Sequence, residues 1–219
     1  MANPQKLTIK KLVSAPTDAS AIPALFAGGG LEYHTLECVN WPDEYPDKPL
    51  VQFALAHTGT ELLVHYKVEE ALSRALATED LGKVWEDSCV ELFLRPSGKG
   101  YYNFECNCIG TLLEAYGEGR HGRIPAPLDT LASVDRFCTL ERKPFEDRAT
   151  GAWELALRIP ATALFKDAIA SFDGLKATAN VYKCGDRLPR PHYVSWAPIQ
   201  TPSPDYHRPE FFADFEFEK

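Results

Sequence analysis

The segment Trp85–Leu94, WEDSCVELFL, alternates from Cys89 onward. Along an extended chain Val90, Leu92 and Leu94 fall on one face, while Cys89, Glu91 and Phe93 fall on the other. One face is apolar throughout, so the segment reads as a strand laid on a core. The opposite face holds an acid between a cysteine and a phenylalanine. A carboxylate in that position either satisfies a buried neighbour or faces something that binds.

The same period of two recurs along the chain. VQFALAH aligns Val51, Phe53 and Leu55, and ELLVHYKV aligns Leu62, Val64, Tyr66 and Val68. AWELALRI aligns Trp153, Leu155, Leu157 and Ile159 before Pro160, and FFADFEF aligns Phe211, Ala213, Phe215 and Phe217. Gly- and Pro-rich connections such as PSGKG, GEGRHGRIPAP and CGDRLPRPH separate the strands. Helical patterns are few: a capped turn or two in TDASAIPALFAGGG, one turn in PATALF, and VEEALSRALATEDLG as the best helical candidate. No repeat or dividing linker is visible, so residues 1–219 read as one domain. The expected fold class is all-β: a two-sheet antiparallel β-sandwich, immunoglobulin- or jelly-roll-like, with a few short helices. Trp153, Leu155, Leu157, Phe215 and Phe217 are expected in the core between the sheets.

Composition narrows the partners. The 219 residues are 45% hydrophobic and 25% charged, ordinary for a folded chain. Against 31 acidic residues stand 23 basic ones, a net charge of −8, so nucleic acid and anionic membrane surfaces are not expected partners. No apolar run is long enough for a membrane span. The N-terminal stretch has no apolar segment followed by a small-residue cleavage site, so the expectation is cytoplasmic as the sequence stands, and secreted or periplasmic if a leader has been removed.

The 6 cysteines do not amount to a disulfide framework and contain no CxxC pair. They read as small, reduced core residues, and neither a cofactor nor a bound transition metal is expected. The acids of PDEYPD, Pro42 to Asp47, are candidates for a structural calcium, but their spacing is irregular and fits a solvated loop better.

Taken with the following YYNFECNCIG, the opening segment resembles the family 9 carbohydrate-binding modules of the DOMON-like β-sandwich group. That family shows a Trp, a short Asp-Ser stretch, then Val-Glu on a strand, with the Glu six residues after the Trp; Trp85 and Glu91 keep the spacing. Phe104 to Asn107 fits the family's Phe-x-x-Asn, Ser195 and Trp196 match a late Ser-Trp, and DYHRPEFF resembles the stretch before the last strand. The likeness spans about residues 50–217. It implies non-catalytic binding of a mono- or oligosaccharide, with two aromatic side chains gripping a terminal sugar. By the same resemblance, Trp85 and Tyr206 are the aromatic walls, Glu91 is the hydroxyl-binding acid and Asn107 its polar partner on the next strand. The chain departs from the pattern at Glu105, where the family carries Arg, so a donor has become an acceptor.

Chemistry supports such a site independently. A pyranose offers C–H faces to flat aromatics and hydroxyls to carboxylates and amides, and bonds to a charged acceptor are the stronger ones. Asn103, Glu105 and Asn107 share one strand face, and Tyr206, His207 and Arg208 lie in a Pro-rich loop. Glu105 and Arg208 complete the candidate ligand-binding set. Other readings stand beside this one. Glu91 pairing with Lys183 or Arg158 is one, Trp85 as a core anchor another, and the Asn-Glu-Asn face as the wet side of an edge strand a third. Rival functions are a glycoside-active enzyme using Glu91 and Glu105, a haem-binding sandwich, and a protein-interaction sandwich. Met1 is the only methionine, which removes His–Met haem ligation and leaves bis-His ligation as the haem alternative, and no hydrolase, zinc-protease or phosphate-loop motif is present.

Overall fold

A computed structural model describes residues 5–219; Met1 lies outside the described residues. In chain order the strands are β1 Lys6–Lys11, β2 His34–Thr35, β3 Cys38–Val39, β4 Leu50–His57, β5 Glu61–Glu70, β6 Ser73–Ala75, β7 Cys89–Arg95 and β8 Tyr101–Asn107. They continue with β9 Leu112–Gly117, β10 Ile124–Pro125, β11 Asp135–Cys138, β12 Phe145–Arg148, β13 Gly151–Pro160, β14 Lys176–Cys184, β15 Tyr193–Ser195 and β16 Ala213–Phe217. Two short helices, α1 Ile22–Gly28 and α2 Leu128–Ser133, complete the set with four single 3-10 turns. The fold is an all-β sandwich, as the alternation predicts.

The front sheet runs β10-β9-β8-β7-β14-β16-β1, with β15 and β3 attached beside β14. The back sheet runs β1-β4-β5-β13-β11, with β2 on β4. Strand β1 belongs to both sheets. Its residues Lys6–Ile9 pair with β16 and Lys10 and Lys11 pair with β4, both in parallel. The expectation of purely antiparallel pairing fails at this one strand, where the chain crosses from one layer to the other.

Period-two burial fixes the layers. Val90, Leu92 and Leu94, with Phe104, Val181, Phe215 and Phe217, face Val51, Phe53, Val64, Tyr66, Trp153, Leu155 and Leu157 across the sandwich, all buried in one cluster. Each such side chain removes on the order of 1.5–3 kcal/mol worth of apolar surface from water. On the outer side of the back sheet, Ile22 and Phe26 of α1 cover Ala54, Ala56, Leu63 and Ala156. On the outer side of the front sheet, loops carrying Trp41, Ile199 and Tyr206 pack over Cys89, Phe93, Tyr101, Tyr182 and Cys184. No helix of the described residues is long and apolar enough to cross a membrane.

VEEALSRALATEDLG is not helical. Its first residues continue β5 to Glu70, and Ser73–Ala75 forms β6 against β12. Side-chain bonding accounts for the reversal of local propensity. The buried Asp87 carboxylate accepts from Leu76 N at 2.9 and 3.0 Å and from Ala77 N at 2.9 Å, holding that backbone extended. Glu70 turns inward, where Lys183 lies 2.9 Å away and the Trp153 indole donates to it at 2.7 Å.

Candidate functional site

The outward face of β7 carries Cys89, Glu91 and Phe93. In the antiparallel register with β8 these sit opposite Asn107, Glu105 and Asn103. On its other side β14 places Cys184 opposite Cys89 and Tyr182 opposite Glu91. Three adjacent strands thus set acids, amides and thiols in one patch on an otherwise aromatic face. Loops rise around the patch and enclose an open cavity of about 390 Å³.

Trp85, on the 3-10 turn Val84–Glu86, lines this cavity. Its backbone carbonyl accepts from Asp186 N at 3.1 Å, which ties the Trp turn to the loop after β14. Tyr206 lines the cavity as well. One face of its ring stacks on Tyr182, with centroids 4.1 Å apart and planes at 9°, and its hydroxyl donates to the Lys183 carbonyl at 2.9 Å. Both aromatic candidates therefore meet at one cavity, each fixed by its own loop.

Glu91 and Glu105 form the floor. Glu91 is 3% exposed and Glu105 5% exposed, so water reaches both only through the cavity. Glu91 accepts from the Cys184 thiol at 3.0 Å. Neither cation suggested for it is available: Lys183 points into the sandwich toward Glu70, and Arg158 pairs with Glu61 at 2.6 Å. Among the described residues Glu91 makes no ion pair. Burial, reinforced by the neighbouring Cys184 and Glu105, pushes its carboxyl well above the usual range. Glu105 is pushed up to about 7, chiefly by burial, with the bond from Asn103 and the charge of Arg123 opposing the rise.

A cation reaches the floor from a loop, Arg123. Carried in the loop before β10, it donates to Asn103 Oδ1 from Nε at 2.9 Å and from Nη2 at 2.6 Å, and Asn103 in turn donates to Glu105 at 2.9 Å. Its guanidinium also lies 4.3 Å from the centre of the Tyr101 ring and bonds the carbonyls of Tyr101 and Ala115. The polar chain from Arg123 through Asn103 thus ends on the Glu105 carboxyl of the floor.

Two candidates lie elsewhere. Asn107 shares the strand face of Glu105 but sits outside the cavity lining, fully buried. Its amide donates to Ala77 O at 2.8 Å and Asp87 Oδ2 at 2.9 Å, and its Oδ1 accepts from Thr111 N at 2.9 Å. It staples loops together. Arg208 pairs with Glu210 at 2.5 Å and also lies outside the lining. Its neighbour His207 lines the cavity instead, with Nδ1 at 2.8 Å from the Tyr101 hydroxyl. Burial and the nearby arginines lower that imidazole to about 3, so it is neutral. Sequence reasoning also passed over Arg120, Arg123, Asp186 and Asp205, all in loops around the rim. The run GEGRHGR is basic against an acidic chain, and that contrast is the signal that was present.

The acids Pro42–Asp47 do not gather three ligating groups. Among the described residues one group of three does so, Cys89, Glu91 and Cys184.

Comparison with known proteins bears on the whole architecture. A protein of Bacteroides uniformis, to which carbohydrate binding has been ascribed, is 45% identical over 99% of this chain and 100% of that one, with a TM-score of 0.94. A family 9 carbohydrate-binding module of Caldicellulosiruptor kristjanssonii, solved with glucose, is similar in fold at 10% identity and a TM-score of 0.62, covering 98% of this chain and 96% of that one. The same organism's module solved with cellotriose matches at 10% identity and a TM-score of 0.62, over 98% of this chain and 94% of that one. No curated protein matches the chain. The model of carbohydrate-binding family 9 matches residues 20–217, nearly the full length. With that match and the sandwich in which it is realised, the chain belongs to carbohydrate-binding family 9.

Proposed function

We propose that the cavity over β7, β8 and β14 binds one terminal sugar of a mono- or oligosaccharide, without turnover. The observation that carries this reading is the meeting of Trp85 and Tyr206 above a floor of Glu91, Asn103 and Glu105 in a cavity of about 390 Å³. That volume lies at the low end for small-molecule sites, suited to one or two sugar rings. The aromatic rings cover a C–H face, and the carboxyls take hydroxyl protons that bulk water no longer can. Glu105, near neutrality in its titration, also donates when protonated, so the floor both gives and accepts hydrogen bonds.

The glucose and cellotriose complexes of the Caldicellulosiruptor modules support glucose-type sugars as the first ligands to try. Glu91 and Glu105 stand directly opposite one another across the strand pair, yet their environment favours neutral carboxyls. A hydroxyl acceptor and donor pair fits that better than a nucleophile with a separate acid. Crystals soaked in glucose, cellobiose and other simple mono- and disaccharides test the assignment. Sugar density between Trp85 and Tyr206 is expected. A sugar bound elsewhere, or hydrolysed in solution by the wild-type chain but not by Glu91→Gln or Glu105→Gln, would overturn it.

A further inference from the structure

Cys89 and Cys184 face each other directly across β7 and β14, and Glu91 lies two residues along the same strand face as Cys89. One ligand atom from each lies within 4.8 Å of the other two. All three residues are buried, at 0%, 2% and 3% exposure for Cys89, Cys184 and Glu91. Glu91 and Cys184 line the cavity, so the cluster is sealed on the protein side and open on one side. The Glu91 carboxyl has only the Cys184 thiol at 3.0 Å as a donor among the described residues, which leaves buried acceptor capacity aimed at the cavity.

From this geometry we propose that Cys89, Glu91 and Cys184 form a zinc-binding site in the cavity floor, with water from the cavity as fourth ligand. A tetrahedral zinc with bonds of ~2.3 Å to sulfur holds two thiolates ~3.8 Å apart, within reach of these side chains. Two thiolates select a thiophilic ion over magnesium or calcium, which prefer oxygen, and the single carboxylate is the borderline partner zinc accepts. Arg120 and Arg123, on the cavity rim, offset the negative charge of the loaded ligand set. Zinc enters as the two thiol protons and the carboxyl proton leave to solvent through the cavity. Zinc on Glu91 withdraws the acid offered to a sugar, so metal and sugar exclude one another at this floor.

The test uses untagged, reduced, metal-stripped protein and zinc chloride alone, titrated against a chromophoric chelator, with cobalt(II) as spectroscopic substitute. No sugar is present, so the result is separate from that of the sugar reading. One zinc per chain and a thiolate-to-cobalt absorption band are expected. Loss of one sulfur in Cys89→Ser or Cys184→Ser roughly halves the band per bound cobalt and weakens zinc at least ~100-fold, whereas Glu91→Gln weakens it at least ~10-fold, since even outer partners of a metal site are worth ~10–100-fold. Cys38→Ser, altering a half-buried thiol outside the group, keeps both signals. The cobalt spectrum of the unaltered chain decides the matter even where a variant fails to fold. No uptake by the wild-type chain, a cobalt complex without the thiolate band, or unchanged uptake in both folded cysteine variants would overturn the proposal.

Discussion

Glu91 has a carboxyl at the centre of a strand, no ion pair among the described residues, and a neighbouring acid opposite it. An unpaired buried charge costs several kcal/mol, roughly, and burial accordingly holds this carboxyl well above its usual range. Burial likewise pushes the Glu105 carboxyl up to about 7 in the folded chain, against an ordinary value of 4.5. Between those values the folded state holds a proton that the unfolded state has released, so stability is greatest below the lower value and falls as pH rises through the upper one. Glu105→Gln is therefore expected to flatten the loss of thermal stability between pH 4.5 and pH 7; a pH profile identical to wild type would refute the buried-acid account. Trp85→Ala is expected to weaken sugar binding about fivefold, the worth of one aromatic face at ~1 kcal/mol, while titration calorimetry shows unchanged stoichiometry.

At the scale of elements, loops decide what the strands present. Asn107 bonds Ala77, Asp87 and Thr111, three points on two loops, from the last residue of β8. Asn107→Ala removes the partner of the Thr111 amide and the Ala77 carbonyl and one of the donors to Asp87, and is expected to cost about 1–3 kcal/mol in chemical denaturation. Sugar affinity should fall less than in Glu91→Ala; the reverse order would return Asn107 to the ligand. This residue also marks how far the sequence can be read. Alternation placed Asn103, Glu105 and Asn107 on one face, and they are on one face, but parity along a strand does not tell where the cavity ends. The strands and their inward sets followed from period two because burial imposes it. Arg123, His207 and Asp186 sit in loops, where no period exists and position depends on distant contacts such as Asp186 N to the Trp85 carbonyl. The helix expected at VEEALSRALATEDLG fails for a related reason, since the Asp87 carboxylate that holds it extended comes from a later segment.

Across the whole molecule the sandwich keeps two chemistries apart. Lys183 and Glu70 pair inside, between the sheets, while Tyr182 and Cys184 on either side of Lys183 face outward toward the cavity. One further acid sits in the interior. Glu114 of β9 is fully buried, neither carboxylate oxygen has a hydrogen-bond partner, and burial pushes it up to about 8. By the same sign as Glu105, its penalty is absent below 4.5 and complete above 8. Glu114→Met is accordingly expected to stabilise the chain at high pH by roughly 2–5 kcal/mol and far less at pH 4.5, as read from urea unfolding at the two pH values. An equal effect at both would mean that packing rather than charge governs that position. The central proposal is that a sugar is held between Trp85 and Tyr206 against Glu91. Titration calorimetry of glucose and cellotriose into the wild-type chain and Glu91→Ala, with melting curves of both, tests it most directly. The account predicts saturable binding at one site per wild-type chain, no detectable binding to Glu91→Ala, and a variant that melts no lower than wild type; undiminished binding by a folded Glu91→Ala chain would contradict it.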